Sequence, residues 1–260
     1  MRAIAIVPAR LGSSRFPGKP LAPLLGRAML EHVVKRAELC ESLENVYVAT
    51  CDAEIKDAVE AFGGRVLMTS KSHERASDRV AEAAQSVDAD VIVMIQGDEP
   101  MITPDMIASA TAPMSTDSSV ECVNLVHRIT DRSELDDRNT IKVVMGLSGD
   151  ALYFTRSPIP STDFATGPDP VFYKQVCVIA FRRDFLTTFA SLQQTPLERA
   201  ESIDMLRALE HGRRIHLVET KVETHAVDTP ADLRLVETRM ALDPLLAQYA
   251  DASRYAPERA

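Results

Sequence analysis

Along the first half of the chain, short runs rich in Val and Ile alternate with stretches whose apolar residues recur every three to four positions. The runs at residues 2–8, 45–50, 65–68 and 90–95 predict strands, and the periodic stretches at 29–39, 53–62 and 77–84 predict helices. In the 29–39 stretch, Met29, Leu30, Val33, Val34 and Ala37 fall on one helical face. Gly63-Gly64 marks the stop of the second helix, because glycine readily takes the left-handed conformation that ends one. Strands that are apolar almost throughout are buried on both faces. The pattern therefore predicts an α/β fold, a mostly parallel sheet covered by helices. Ligands on such sheets bind beyond the carboxyl ends of the strands, so the loops after 2–8 and 90–95 are expected to share one crevice.

From about residue 119 the pattern changes. Residues 121–126, 141–147, 152–154 and 171–181 read as strands separated by turn signals, with Ser148-Gly149-Asp150 as a hairpin turn. This predicts a smaller mixed or antiparallel sub-domain. Residues 196–210 read as a helix, 214–219 as a late strand, and 231–240 as a helix capped by Thr229 ahead of Pro230. The expected division is an α/β core at 1–118 plus 195–242, a substrate or dimerisation sub-domain at 119–194, and an Ala-rich extension at 243–260, integrated into one domain overall.

The chain has 260 residues, enough to bury a full core, and a net charge of −9. An acidic protein is a poor general nucleic-acid binder. The charge is uneven, however: residues 1–36 hold seven Lys and Arg against the single acid Glu31. That local excess suits a small anionic ligand. Cys40, Cys51, Cys122 and Cys177 are widely spaced and read as reduced thiols in or near the core. No apolar run is long enough to span a membrane, and the first strand is too short for a signal peptide. The expectation is a cytoplasmic protein.

The basic residues concentrate in Pro8-Ala9-Arg10-Leu11-Gly12-Ser13-Ser14-Arg15-Phe16-Pro17-Gly18-Lys19-Pro20, directly after the first strand. Glycines let a backbone approach an anion, and successive N–H groups then form a nest around its oxygens. Arg10, Arg15 and Lys19 supply the neutralising charge. The loop is no Walker motif, because five residues separate Gly12 from Gly18 and Pro20 stands where a Ser or Thr is required. It also lacks the dinucleotide fingerprint. The reading is a polyphosphate loop for a nucleotide whose phosphates react.

Gln96-Gly97-Asp98-Glu99-Pro100 places two carboxylates at the sheet edge beside this loop. A triphosphate is normally met as its magnesium complex, and Mg2+ takes one or two carboxylates plus phosphate oxygens. Asp98, first after the glycine turn, is the better ligand candidate, although it also suits a turn that caps the next helix. Asp228 in Ala226-Val227-Asp228-Thr229-Pro230 reads, taken alone, as a helix-start carboxylate. His73-Glu74-Arg75-Ala76-Ser77-Asp78-Arg79 reads, taken alone, as a solvated helix start.

In order, Pro-Ala-Arg with Pro-Gly-Lys-Pro-Leu, then His73 to Arg79, then Gln-Gly-Asp-Glu-Pro, then Val-Asp-Thr-Pro-Ala-Asp-Leu, these segments resemble the 3-deoxy-manno-octulosonate cytidylyltransferases, or CMP-KDO synthetases. The likeness runs from residue 1 to about 240 and includes residues 151–160 and 195–198. The resemblance implies a nucleotide-diphospho-sugar transferase-like fold and a symmetric homodimer. It also implies an activity in which the anomeric hydroxyl of a sugar acid attacks the α-phosphorus of CTP to give a CMP-sugar and pyrophosphate. By the same carry-over, Arg10 and Lys19 hold the triphosphate, while Pro8, Gly12, Ser13 and Ser14 cradle it. Ser77, Arg79 and Gln96 lie near the cytidine, Asp98 and Asp228 ligate Mg2+, and Arg156 meets the sugar carboxylate.

Three places depart from the family pattern. Arg75 and Ala76 stand in the His-x-Ser-Gly-Thr segment. In the strand at 174–182, Gln175 and Ile179 replace a sugar-facing His and Tyr. Asp204 and Met205 replace a Glu-Gln pair. Gln175, Ile179, Asp204 and Met205 are thus the candidate substrate residues, and the loss of hydroxyl-reading groups points toward an altered ulosonic acid. The alternatives are a nucleotidyltransferase for another acceptor, such as a sugar or polyol phosphate or a phosphonate, and a nucleotide-binding module without catalysis.

Overall fold

The structure, a computed structural model, describes residues 1–12, 16–164, 166–168 and 170–250. The chain forms two units: residues 1–108 with 224–260, and residues 109–223.

The first unit opens with β1 (Ala3–Pro8), a 3-10 turn at Lys19–Leu21, and the small hairpin β2 (Pro23–Leu24) and β3 (Arg27–Ala28). There follow α1 (Met29–Glu38), β4 (Asn45–Thr50), α2 (Ala53–Ala61), β5 (Arg65–Met68), α3 (Ala76–Ala84) and β6 (Val91–Ile95). β1 pairs in parallel with β4 on one side and β6 on the other, and β4 pairs in parallel with β5. Every residue of β1 and β6 is buried, as their unbroken apolar composition requires. On α1 the predicted stripe of Met29, Leu30, Val33, Val34 and Ala37 is buried. Because β1 and β6 run side by side in one direction, the loops leaving their carboxyl ends are neighbours.

α4 (Pro104–Thr116) leads into the second unit. It escapes the helical periodicity because Pro113 sits inside it and its apolar residues surround the axis rather than forming a stripe. The second unit then contains β7 (Cys122–Arg128), α5 (Ser133–Asp136), β8 (Lys142–Met145), β9 (Ala151–Thr155), β10 (Tyr173–Arg182), α6 (Arg183–Ser191), α7 (Pro196–Glu201), α8 (Met205–Glu210) and β11 (His216–Glu219). β7 lies between an antiparallel β10 and a parallel β11, and β8 pairs antiparallel with β9 and β10. Because β11 joins β7, residues 195–223 group with this unit and not with the first, in contrast to the expected division. The single helix expected at 196–210 is two helices. The chain breaks at Ser202, whose φ of 56° is left-handed, and Glu198 of α7 is paired by Arg207 of α8 through bonds of 2.7 and 2.9 Å.

The chain returns to the first unit with α9 (Pro230–Met240) and α10 (Leu246–Tyr249). Thr229 caps α9 as predicted: it accepts from the Asp232 N–H at 3.3 Å, and the Asp232 carboxylate accepts from the Thr229 N–H at 2.7 Å. Residues 243–250 are tied to this unit, since Leu246 and Ala250 pack with Leu24, Met29, Val227, Val236 and Met240 in one apolar cluster. All four cysteines are free thiols, Cys40 and Cys122 buried and the others half-buried. Among the described residues no helix is long and apolar enough to cross a membrane.

Candidate active site

The loop leaving β1 is fixed from beneath by backbone and by one carboxylate. The Ala9 N–H donates to the Ala49 carbonyl at 3.0 Å, and the Leu11 N–H donates to Asp52 Oδ2 at 2.8 Å. Asp52 stands just past β4, which is why this partner is invisible from the loop's own sequence. The Gly18 N–H returns to the Leu11 carbonyl at 3.3 Å, with Gly18 at a φ of +69° that a side chain rarely adopts. This hydrogen bond brings Gly18, and with it Lys19, back to the start of the loop. Ser13, Ser14 and Arg15 lie outside the described residues.

The turn after β6 approaches closely. A Cβ on Gly97 would meet the Pro8 carbonyl oxygen at 3.1 Å, so glycine is what allows Asp98 to sit against the β1 loop. Asp228 reaches the same place from the other end of the chain. The Val227 N–H donates to the Asp98 carbonyl at 2.9 Å, and the Asp228 N–H donates to Asp232 Oδ2 at 3.1 Å. Burial opposes ionisation of Asp232, yet the hydrogen bonds from Thr229 and Asp228 prevail and hold its carboxyl below its ordinary value.

These segments enclose an open cleft of about 410 Å3 in the first unit. Pro8, Arg10 and Gly12 line it from the β1 loop, Lys19 from the 3-10 turn, Gln96 and Asp98 from the β6 turn, Arg79 from α3, and Asp228 from the turn before α9. Lys19 stands between the two aspartates: its Nζ is 2.7 Å from Asp98 Oδ2 and 3.4 Å from Asp228 Oδ1. A cation thus already sits where two carboxylates converge, and that donor set suits Mg2+. Among the described residues no group of three or more His, Cys, Asp or Glu could hold a metal by itself. The remaining oxygens of a Mg2+ held here would come from water or from a bound ligand.

The third wall comes from α3 and the segment before it. His73, Glu74, Arg75 and Ala76 also line the cleft, so the two departures from the family pattern in this segment, Arg75 and Ala76, face it directly, and His73 and Glu74 join them. Glu82, further along α3, holds this segment: it accepts from the Ser70 N–H at 3.0 and 3.2 Å and pairs with His73 Nε2. The Ser70 hydrogen bond leads in holding the Glu82 carboxyl below its ordinary value. Arg79, 3% exposed, donates to Thr69 Oγ1 and to the Ser70 carbonyl. Ser77 is fully buried beside it, and its hydroxyl has no hydrogen-bond partner among the described residues. Ser77 has no accessible surface and does not line the cleft, so the expectation that it lies against a nucleotide is replaced by a position behind the wall.

The candidate sugar-acid residues all belong to the second unit. The guanidinium of Arg156 is occupied by main-chain oxygens, donating to Glu201 at 2.7 Å and Arg138 at 2.9 Å. Gln175 donates to Asn124 Oδ1 at 2.6 Å. Ile179 and Met205 are core residues, 2% and 0% exposed, and Asp204 is half-buried. A side chain without accessible surface meets protein on every side. Ile179 and Met205 therefore act on a ligand only through the packing of their neighbours, which corrects the expectation that they touch it.

Comparison with known proteins places these features in a group. The cytidylyltransferase family model matches residues 4–215. The chain is 46% identical to a 3-deoxy-manno-octulosonate cytidylyltransferase of Geobacter metallireducens over 93% of this chain and 98% of that protein. It is also 46% identical to the enzyme of the same name from Geobacter sulfurreducens, over 91% of this chain and 98% of that one. A solved structure of CMP:2-keto-3-deoxy-manno-octonic acid synthetase complexed with CTP superposes with a TM-score of 0.87 at 40% identity, covering 93% of this chain and 99% of that one.

Proposed function

The chain belongs to the cytidylyltransferases, within the group of the 3-deoxy-manno-octulosonate enzymes, and on that premise we propose that it activates 3-deoxy-manno-octulosonate or a closely similar sugar acid with CTP. The anomeric oxygen of the acid forms a bond to the α-phosphorus. The bridging bond from the α-phosphorus to the leaving oxygen breaks, pyrophosphate departs, and the hydroxyl proton passes to solvent. The observation that carries this reading is the cleft in which Arg10, Lys19, Asp98 and Asp228 converge.

Each residue has a role that its chemistry allows. Arg10 is exposed at the cleft edge and free to meet phosphate oxygens. Lys19 is a point charge held 2.7 Å from Asp98, ready to transfer to a triphosphate. The loop amides at Gly12 offer a nest to the same anion. Arg79 and Gln96, which line the cleft, form the wall for the cytosine, with Ser77 packed behind Arg79 on α3. Asp98 and Asp228 would hold Mg2+, which supplies charge neutralisation and orientation at the reacting phosphate. Catalysis on this reading is chiefly positioning and electrostatic stabilisation.

The sugar acid is recognised by the second unit, with Gln175 and Asp204 as the polar candidates. A homodimer draws support from Leu147, Leu152 and Phe164, large apolar residues exposed on that unit. Pyrophosphate release with CTP and Mg2+, measured against 3-deoxy-manno-octulosonate, its amino and deoxy variants and nonulosonic acids, tests the reading. Robust release with the parent acid is expected. Release with none of these acids would overturn it.

A further inference from the structure

Arg36 of α1 is fully buried and does not line the cleft, yet its guanidinium ties together the chain segments that carry both proposed metal ligands. One terminal nitrogen donates to the Ile102 carbonyl at 3.3 Å. Ile102 closes the turn after Asp98, where the Glu99 N–H meets the Gln96 carbonyl and the Ile102 N–H meets the Glu99 carbonyl, both at 3.2 Å. The other terminal nitrogen donates to Asp243 Oδ2 at 2.6 Å, and Nε donates to the Tyr249 hydroxyl at 3.0 Å. Asp243 and Tyr249 end the segment that Asp228 begins. The network extends to the third cleft segment: the Tyr249 hydroxyl lies 3.0 Å from His32 Nδ1, and His32 Nε2 lies 2.7 Å from the Leu24 carbonyl. Leu24 follows the turn that carries Lys19.

We propose that Arg36, with Asp243 and Tyr249, is a positioning residue that sets the separation of Asp98 and Asp228 for a shared divalent cation. The inference rests on the metal reading proposed above. Its physical basis is directionality. The apolar cluster of Leu24, Met29, Val227, Val236, Met240 and Leu246 alone would hold the C-terminal segment against α1, but apolar contacts tolerate sliding along the interface. A buried guanidinium with three partners does not, because moving any one segment leaves a desolvated polar group unpaired. Stability by itself is a weak reason for a buried ion pair, since apolar replacements commonly serve as well. Geometry at two carboxylates is a better one, because partners behind metal ligands commonly control metal affinity.

The test is Mn2+ binding to the full-length protein, followed by electron paramagnetic resonance with CTP present and no sugar acid. The variants are Tyr249→Phe, Asp243→Asn and Asp98→Asn, each compared with CTP affinity measured without metal. The expected result is that Tyr249→Phe and Asp243→Asn weaken Mn2+ binding about 10-fold or more, with metal-free CTP affinity unchanged. A merely structural role would lower the melting temperature and leave Mn2+ affinity alone. Wild-type Mn2+ affinity in both variants, with Asp98→Asn impaired, would overturn the positioning role and leave the metal reading standing. Wild-type affinity in Asp98→Asn as well would overturn both. Arg36→Met removes the whole hub, but the two milder variants decide the question even if that protein does not fold.

Discussion

The main-chain N–H of Val227 donates to the carbonyl oxygen of Asp98 at 2.9 Å, joining the turn after β6 to the turn before α9. Two carboxylates from distant parts of the sequence thereby share a backbone frame. Their side chains converge on one ammonium group, and the consequences for the reaction can be measured one residue at a time.

Asp98→Asn and Asp228→Asn should each lower kcat about 100-fold or more, the scale on which removing one preorganised electrostatic partner acts. Both side chains are partly exposed, so the melting temperature should stay close to that of the wild type. Steady-state pyrophosphate release beside a thermal scan checks both halves. Near-normal kcat in either variant would remove that residue from the site.

Lys19→Met separates two roles of one side chain. Loss of a charge-assisted contact to phosphate is worth about 1.5–3 kcal/mol, so KM for CTP should rise about 10-fold to 100-fold. Without nucleotide the effect should have the opposite sign. Removing the ammonium that neutralises Asp98 and Asp228 should tighten Mn2+ binding to the nucleotide-free protein. A titration without CTP reads this, and weaker Mn2+ binding in the variant would show that Lys19 does not occupy the cation's place.

In the second unit, Glu198 and Arg207 form an ion pair with side chains 0% and 2% exposed, held at 2.7 Å. Arg207 also lies over the Phe189 ring at 4.8 Å. Removing one partner strands the other, so Arg207→Met should cost about 3–5 kcal/mol in urea unfolding. The double variant with Glu198→Leu should recover part of that loss. Simple additivity of the two single losses would refute the coupling.

Much of the first unit is legible in the sequence because its signals are local. β1 and β6 announce themselves as unbroken apolar runs and β4 as an apolar run flanked by Asn45 and Thr50, and Thr229 to Asp232 spells its own cap. The basic loop and Gln96 to Pro100 become neighbours once the strands are parallel. What stays hidden are relationships made by the fold. Nothing near residues 8–20 indicates that Asp52 anchors their backbone, and nothing near Asp228 indicates Arg36. The break at Ser202 is equally hidden, because its cause is Arg207 reaching back to Glu198 across a helical pattern that reads as continuous. Ile179 and Met205 invite a ligand role by alignment alone, whereas accessibility places them in the core.

His32 gives the clearest dependence on pH. It is fully buried, with Nδ1 facing the Tyr249 hydroxyl and Nε2 facing the Leu24 carbonyl. Burial is the main cause that lowers its pKa from 6.5 to about 4, and the nearby Arg36 and Arg27 add to it. The hydrogen bonding suits the neutral ring, which accepts from the tyrosine and donates to the carbonyl. In the unfolded chain the ring takes up a proton as pH falls through about 6.5, while in the folded protein it stays neutral until about 4. The unfolded state therefore binds more protons within that window, and stability falls as pH falls. Between pH 7 and pH 5 this group alone should remove about 2 kcal/mol. His32→Gln keeps a donor and an acceptor without the titration. It should be less stable than the wild type at pH 7, and it should lose about 2 kcal/mol less over the same interval. Urea unfolding of both proteins at a series of pH values reads the difference, in which the other five histidines cancel. Parallel curves would mean that His32 titrates alike in the folded and unfolded chain, so that burial does not hold the ring neutral.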